Sequence, residues 1–153
     1  MADRFQIVIV GRSKSKWANA AVDDYAQRLR RHGGVSETAV KTENFHGDAA
    51  AVQQAEGERI LKAAGNAVLI VLDERGERLD SHQFAQLVDA SRQEGSVVFA
   101  LGGAYGHSPQ TRQAAARVVR LSDMVVNHEV ARVMLYEQLY RAMTLLAGAP
   151  YHH

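Results

Sequence analysis

The chain has 153 residues, 46% of them hydrophobic and 23% charged, enough for one domain with a proper core and short for two. With no cysteine it can have neither disulfides nor thiolate metal sites. The 18 basic and 17 acidic side chains leave a net charge of +1, without the clear surplus that phosphate binding favours.

Residues 5–10 (Phe5 to Val10) form a short apolar, β-branched run closed by Gly11, which predicts a strand. Trp17, Ala21, Tyr25 and Leu29 then recur every four residues and predict an amphipathic helix over 17–31, ended by Gly33 and Gly34. Basic residues collect in two places, Arg12, Lys14 and Lys16 before this helix and Arg28, Arg30, Arg31 and His32 at its end. They read either as solvated surface, favoured near a helix C-terminus by the dipole, or as phosphate contacts. The alternation over 35–41 predicts a second strand, and Asp48 can cap a helix running to Ala64.

The apolar run 67–72 suits a parallel strand covered on both faces, and it is far too short to cross a bilayer. Phe84, Leu87, Val88 and Ser91 mark one face of a helix that Ser81 can cap. A buried strand follows over 97–101, then a short helix with Ser108 as N-cap and Pro109 at its first position. The run 118–121 reads as a fifth strand, and a long final helix over 130–147 is stopped by Gly148 and Pro150. The expected fold is a single α/β domain, 1–153, with a mostly parallel sheet flanked by helices. The opening residues lack the apolar stretch of a signal peptide, and a cytoplasmic location is expected.

In such sheets ligands bind beyond the carboxyl ends of the strands. Three segments fit that position, beginning at Leu72-Asp73, Leu101-Gly102-Gly103 and Leu121-Ser122-Asp123. The glycine turn Gly102, Gly103 and Gly106 allows close approach of a ligand to the backbone. It is neither a dinucleotide fingerprint nor a P-loop. In the third segment Met124, Val125 and Val126 lie between polar residues and read as a sixth short strand or a buried loop, whose backbone groups suit the edge of an adenine ring. His128-Glu129-x-x-Arg132 lacks the second histidine of the zinc motif, and no metal is expected. His128 reads equally as an acid or base and as a residue that orients the final helix. That helix carries a wide apolar girdle, with Ala131, Leu135, Leu139, Ala142 and Leu146 on one face and Val130, Met134, Glu137 and Arg141 on another. Burial on two sides in so small a chain predicts a two-fold homodimer.

The combination Leu72-Asp73-x-x-Gly76, Leu101-Gly102-Gly103-x-x-Gly106, Leu121-Ser122, His128-x-x-x-Arg132-Val133, Glu137-Gln138-Leu139-Tyr140-Arg141-Ala142 and Pro150-Tyr151-His152 resembles the RlmH family across essentially the whole chain. These are the large-subunit rRNA pseudouridine N3-methyltransferases of the SPOUT superfamily. The resemblance implies a C-terminal trefoil knot, an exception among folds. It implies S-adenosylmethionine as methyl donor, held by Leu72, Gly102, Gly103, Leu121, Ser122, Asp123, Met124, Val125 and Val126. It also implies a homodimer and a pseudouridine of helix 69 of the large-subunit rRNA as target, on the assembled ribosome. His128, Glu137 and His152 are the candidates for handling the N3 proton, Arg132 for stabilising a developing oxyanion, and Tyr151 with His152 for completing the site.

Overall fold

In the computed structural model, which describes residues 3–153, five strands and five α-helices alternate along the chain. They are β1 (Phe5–Val10), α1 (Lys16–Leu29), β2 (Val35–Val40), α2 (Ala49–Ala64), β3 (Val68–Arg78), α3 (Ser81–Glu94), β4 (Val97–Leu101), α4 (Pro109–Ala114), β5 (Arg117–Arg120) and α5 (His128–Ala147). A single 3-10 turn, Arg30–His32, follows α1. The strands form one sheet in the order β2-β1-β4-β3-β5, with every neighbouring pair parallel.

Strand alternation divides the core in two. Phe5, Ile7, Ile70, Leu72, Val97 and Phe99 point to one face and pack under Val22 and Leu29 of α1, Phe84 and Val88 of α3, and Leu135, Leu139 and Ala142 of α5. Val8, Leu69, Val71, Val98 and Ala100 point to the other face, against Ile60 and Ala64 of α2. Leu139, on the apolar girdle expected to supply the subunit contact, is fully buried inside its own chain instead, with Leu135 and Ala142.

Four local expectations shift. The buried stripe of α1 is Ala18, Val22 and Leu29, and Trp17 is exposed, because the helix lies one position round from the predicted face. The cap of α3 is Asp80 rather than Ser81: its carboxylate accepts from the Gln83 N–H at 2.8 Å while the Gln83 side chain accepts the Asp80 N–H at 2.8 Å. The third strand runs six residues beyond Leu72, leaving and rejoining β5 so that Leu72 and Glu77 both register with Val119. The final helix starts at His128, two residues early, because the Asn127 side chain accepts the Glu129 N–H at 2.8 Å.

Gly76 lies where β3 passes over β5. A Cβ there would sit 2.5 Å from the backbone nitrogen of Val119 and 2.7 Å from the carbonyl carbon of Val118, so only glycine lets the two backbones approach. Gly148 ends α5 in the left-handed conformation (φ 70°).

Candidate cofactor site

The strands β4, β3 and β5 are adjacent and parallel, so their carboxyl ends open on the same side. The three segments singled out in the sequence therefore converge on one cavity of about 380 Å³, within the range of small-molecule sites. Of the nine predicted cofactor residues, Leu72, Gly102, Gly103, Leu121, Ser122, Met124, Val125 and Val126 line it. Asp123 does not: its carboxylate pairs with Arg78 at 3.1 Å and Arg120 at 3.2 Å.

The glycine turn is closed by the Gly106 N–H donating to the Gly103 carbonyl at 3.0 Å. Gly106 takes the left-handed conformation (φ 77°); Gly102 does not. The need for glycine at 102 and 103 is contact. A Cβ on Gly102 would press on the Gly106 backbone at 3.2 Å, and one on Gly103 would meet the Glu56 carboxylate at 2.7 Å. Gln53 and Glu56 of α2 thus back this turn, with the Gln53 amide donating to the Tyr105 carbonyl at 2.6 Å.

His107, buried at the floor of the cavity, ties the turn to β3. Its Nε2 lies 3.0 Å from the Leu72 carbonyl, which can only accept, so the ring is held with its proton on Nε2. Burial pushes its pKa below the ordinary value, opposed in part by the nearby Asp73. The Arg112 guanidinium then bridges the His107 carbonyl at 2.8 Å and the Asp73 carboxylate at 3.4 Å. Strand end, glycine turn and α4 form one polar-locked unit. The third segment differs from the expected buried loop or short strand. Met124 and Val125 are 79% and 81% exposed, because the loop is held by the Met124 N–H to Ser122 Oγ bond and the Asp123 ion pairs, with no element packed over it.

Among the predicted catalytic residues, the cavity takes only His128, at the first position of α5. Arg132, buried, lines a separate cleft with Arg12, Ser13, Asn19 and Glu37. Its Nε and Nη2 donate to the two Glu37 oxygens at 2.8 Å each, and Nη1 donates to Asn19 Oδ1 at 2.9 Å. Tyr136 donates to the same carboxylate at 2.8 Å, and burial together with that charge holds its phenol far above the ordinary range. Glu137 accepts from Arg141 at 2.8 Å and from the Tyr151 hydroxyl at 2.7 Å. Arg141 also contacts His152 Nδ1 at 3.0 Å, and the His152 ring meets His82 edge-on. The tail is therefore folded back on α5, with burial and the Glu137 bond pushing the Tyr151 phenol upward. The tail's contacts at Glu137 and Arg141 lie nine and thirteen positions from His128, about 14 to 20 Å along the helix axis.

The family model described as "Predicted SPOUT methyltransferase" matches residues 4–152. The chain belongs to the SPOUT methyltransferase family. It is 40% identical over 153 residues to a Geotalea uraniireducens protein named ribosomal RNA large subunit methyltransferase H, spanning 98% of this chain and 99% of that one. It is 39% identical to the protein of that name from Geobacter metallireducens, with the same coverage. Among solved structures, a probable methyltransferase from Bordetella pertussis Tohama I superposes with a TM-score of 0.60 at 18% identity, covering 92% of this chain and 95% of that one. The tRNA (m1G37) methyltransferase from Aquifex aeolicus superposes at 0.52 with 10% identity, covering 99% and 75%. These two likenesses concern the fold.

In this SPOUT chain Asp73 and Arg75, within the first segment singled out, also line the cavity, and the residues that sequence reasoning missed include His107, Gln53, Arg112 and Arg120. A signal for His107 was present, since it directly precedes the Ser108 cap and follows the glycine turn. The remainder depend on chain crossings that no local pattern marks. Among the described residues no group of three or more His, Asp and Glu side chains could hold a metal ion, and no helix is long and apolar enough to cross a membrane.

Proposed function

We propose that this chain transfers a methyl group from S-adenosylmethionine to N3 of a pseudouridine in helix 69 of the large-subunit rRNA, on the ribosome, in the cytoplasm and as a homodimer. The observation that carries this reading is the cavity at the carboxyl ends of β3, β4 and β5, in a chain 40% identical along nearly its full length to a ribosomal RNA large subunit methyltransferase H.

The residues present fit the methyl donor. Leu72, Leu101 and Leu121 offer an apolar slot for a flat ring, the glycine turn offers close backbone approach, and Met124 and Val125 leave apolar surface over the cavity for a ligand to cover. The bound sulfonium supplies an activated methyl group, and that chemistry needs no metal. What the chain must add is alignment and proton management. The His107–Leu72 bond and the Arg112 bridge hold the cavity wall in place before any ligand arrives. His128, which lines the cavity, is the residue we assign to accept the N3 proton of the base. Arg132 and Glu137 act one step removed, Arg132 by fixing α5 against β2 through Glu37, and Glu137 by holding Tyr151.

The separation of cavity and tail along α5 supports the dimer. Tyr151 and His152, tied to Glu137 and Arg141 away from their own chain's cavity, are in our reading the groups that close over an RNA base in the cavity of a second copy.

The test is methyl transfer from labelled S-adenosylmethionine to isolated ribosomes, free rRNA and tRNA, with the product base mapped. Label in large-subunit rRNA at N3 of a pseudouridine, strongest with ribosomes, is the expected result. Label in tRNA would overturn the target. Failure to bind the methyl donor in calorimetry would make the chain a non-catalytic ribosome-binding protein.

A further inference from the structure

Six large apolar side chains are exposed among the described residues, and four of them gather at one place. Tyr105, Met124 and Val125 line the cavity mouth, and Phe45 lies against Tyr105. The two aromatic rings are nearly parallel, 10° apart with centroids 5.1 Å apart, and are 50% and 41% exposed. They come from different elements. Tyr105 sits on the glycine turn, fixed by the Gln53 bond to its carbonyl, and Phe45 on the loop between β2 and α2.

The chemistry of that loop is one-sided. Its acidic groups are already engaged: Glu43 pairs with Arg59 at 3.4 Å, and Asp48 caps α2. The side chains of Lys41, Asn44 and His46 make no hydrogen bond or ion pair among the described residues, and all three are exposed. An aromatic face is thus flanked by a cation, an amide and an imidazole, the composition that takes a stacked base and its phosphate.

We infer that Phe45, braced by Tyr105, is a stacking platform for an unpaired nucleobase of the RNA next to the one being methylated. The inference rests on the RNA-methylating reading of the cavity and adds to it a specific contact outside the cofactor slot. Stacking on aromatic side chains tolerates any base, so the platform contributes affinity and placement, with the cavity left to select the target. Continuity with the cavity mouth favours RNA as the occupant over a separate protein.

The experiment compares Phe45→Ala and Phe45→Trp with the wild type. Phe45 is half exposed and outside the core, and circular dichroism melts check that both variants fold. With ribosomes as substrate, Phe45→Ala should raise KM about tenfold and leave kcat and S-adenosylmethionine affinity within twofold, and Phe45→Trp should restore KM. Unchanged KM in Phe45→Ala overturns the platform. If Phe45→Ala instead lowers the mass in light scattering, the patch is a contact between two copies of the chain and the inference falls. A second readout does not depend on catalysis. In a Trp17→Phe, Phe45→Trp protein, single-stranded oligouridine should quench the fluorescence while a paired duplex of equal length does not. Absence of quenching by the single strand overturns the platform. Wild-type inactivity on ribosomes with quenching intact would count against the methylation reading alone.

Discussion

Replacing Glu37 by alanine separates the two roles open to Arg132. The Arg132 guanidinium is buried and directs Nε and Nη2 to the Glu37 carboxylate, while Tyr136 donates to the same group. Removing the carboxylate leaves Nε and Nη2 of the buried cation and a buried hydroxyl without an acceptor, while Nη1 keeps Asn19 at 2.9 Å and the more distant Glu129 at 3.8 Å. Breaking a buried pair from one side costs about 3–5 kcal/mol. The Glu37 side chain retains 23% exposure, so water can partly replace it and the lower end, about 3 kcal/mol, applies. With a urea slope of about 2 kcal/mol per molar, the unfolding midpoint should fall by about 1.5 M. Replacing Arg132 by methionine in the same chain should recover part of the loss, because no unpaired charge then remains buried. S-adenosylmethionine affinity of the folded Glu37→Ala protein should stay within twofold, since Arg132 lines a different cleft. A midpoint shift below about 0.3 M, or lost cofactor affinity in a fully folded variant, would refute the structural assignment.

Gly76→Ala forces a Cβ into the Val118–Val119 backbone and should cost about 3 kcal/mol, measured by urea unfolding, whereas Gly47→Ala, with open space at its Cβ, tests only the strain of a positive φ. His107 is held neutral by burial, so between its lowered folded pKa and the ordinary 6.5 the unfolded chain binds the proton and the native chain does not. Its contribution is therefore complete above about pH 6.5 and is lost as pH falls, at no more than about 1.4 kcal/mol per pH unit. His107→Gln, which keeps an N–H for the Leu72 carbonyl, should flatten that acid limb between pH 7.5 and 5.5, and parallel curves would count against it. Deleting residues 151–153 removes the Tyr151 bond to Glu137 and should cost about 1 kcal/mol. It should leave cofactor affinity nearly unchanged and lower methyl transfer to ribosomes at least about tenfold; wild-type transfer rates would show the tail to be dispensable.

The strands that sit at the centre of the sheet were the most legible. The apolar stretches of β1 and β4 and the apolar first half of β3 are covered on both faces, and a run with no polar interruption is what such burial requires. The second half of β3, 73–78, is polar and could not be read as a strand. It becomes one because β5 lies beside it and Arg117 pairs with Glu77 at 2.6 Å, across 40 residues of chain. Local chemistry also left ties that only geometry breaks. Asp80 and Ser81 are both good caps, and the choice falls to Asp80 because Gln83, three residues on, completes the reciprocal pair.

The cavity was legible for a topological reason: strand ends in a parallel sheet meet on one side, so three loops marked by glycine and polar residues had to be neighbours. The catalytic residues were harder because they were read along one helix. At about 100° per residue, Glu137 lies nine positions and roughly 180° round α5 from His128, so the two cannot face the same cavity in one chain. That conclusion needed only the helical period. Arg132, four positions from His128, does lie near the same face, and what removes it from the cavity is Glu37, brought in by β2 from 95 residues away. The opposed placement of His128 and the Glu137–Tyr151–His152 cluster constrains any account of catalysis. If the tail anchored by Glu137 and Arg141 contributes to methyl transfer, as proposed above, the cavity it serves is that of a second copy. Mixing a tail-deleted chain with a cavity-disabled Gly102→Val chain should then restore methylation in the mixed dimer, since one of its two sites has an intact cavity and a tail from the other copy. Absence of recovery in confirmed mixed dimers would place tail and cavity in the same chain and remove the argument for a shared site.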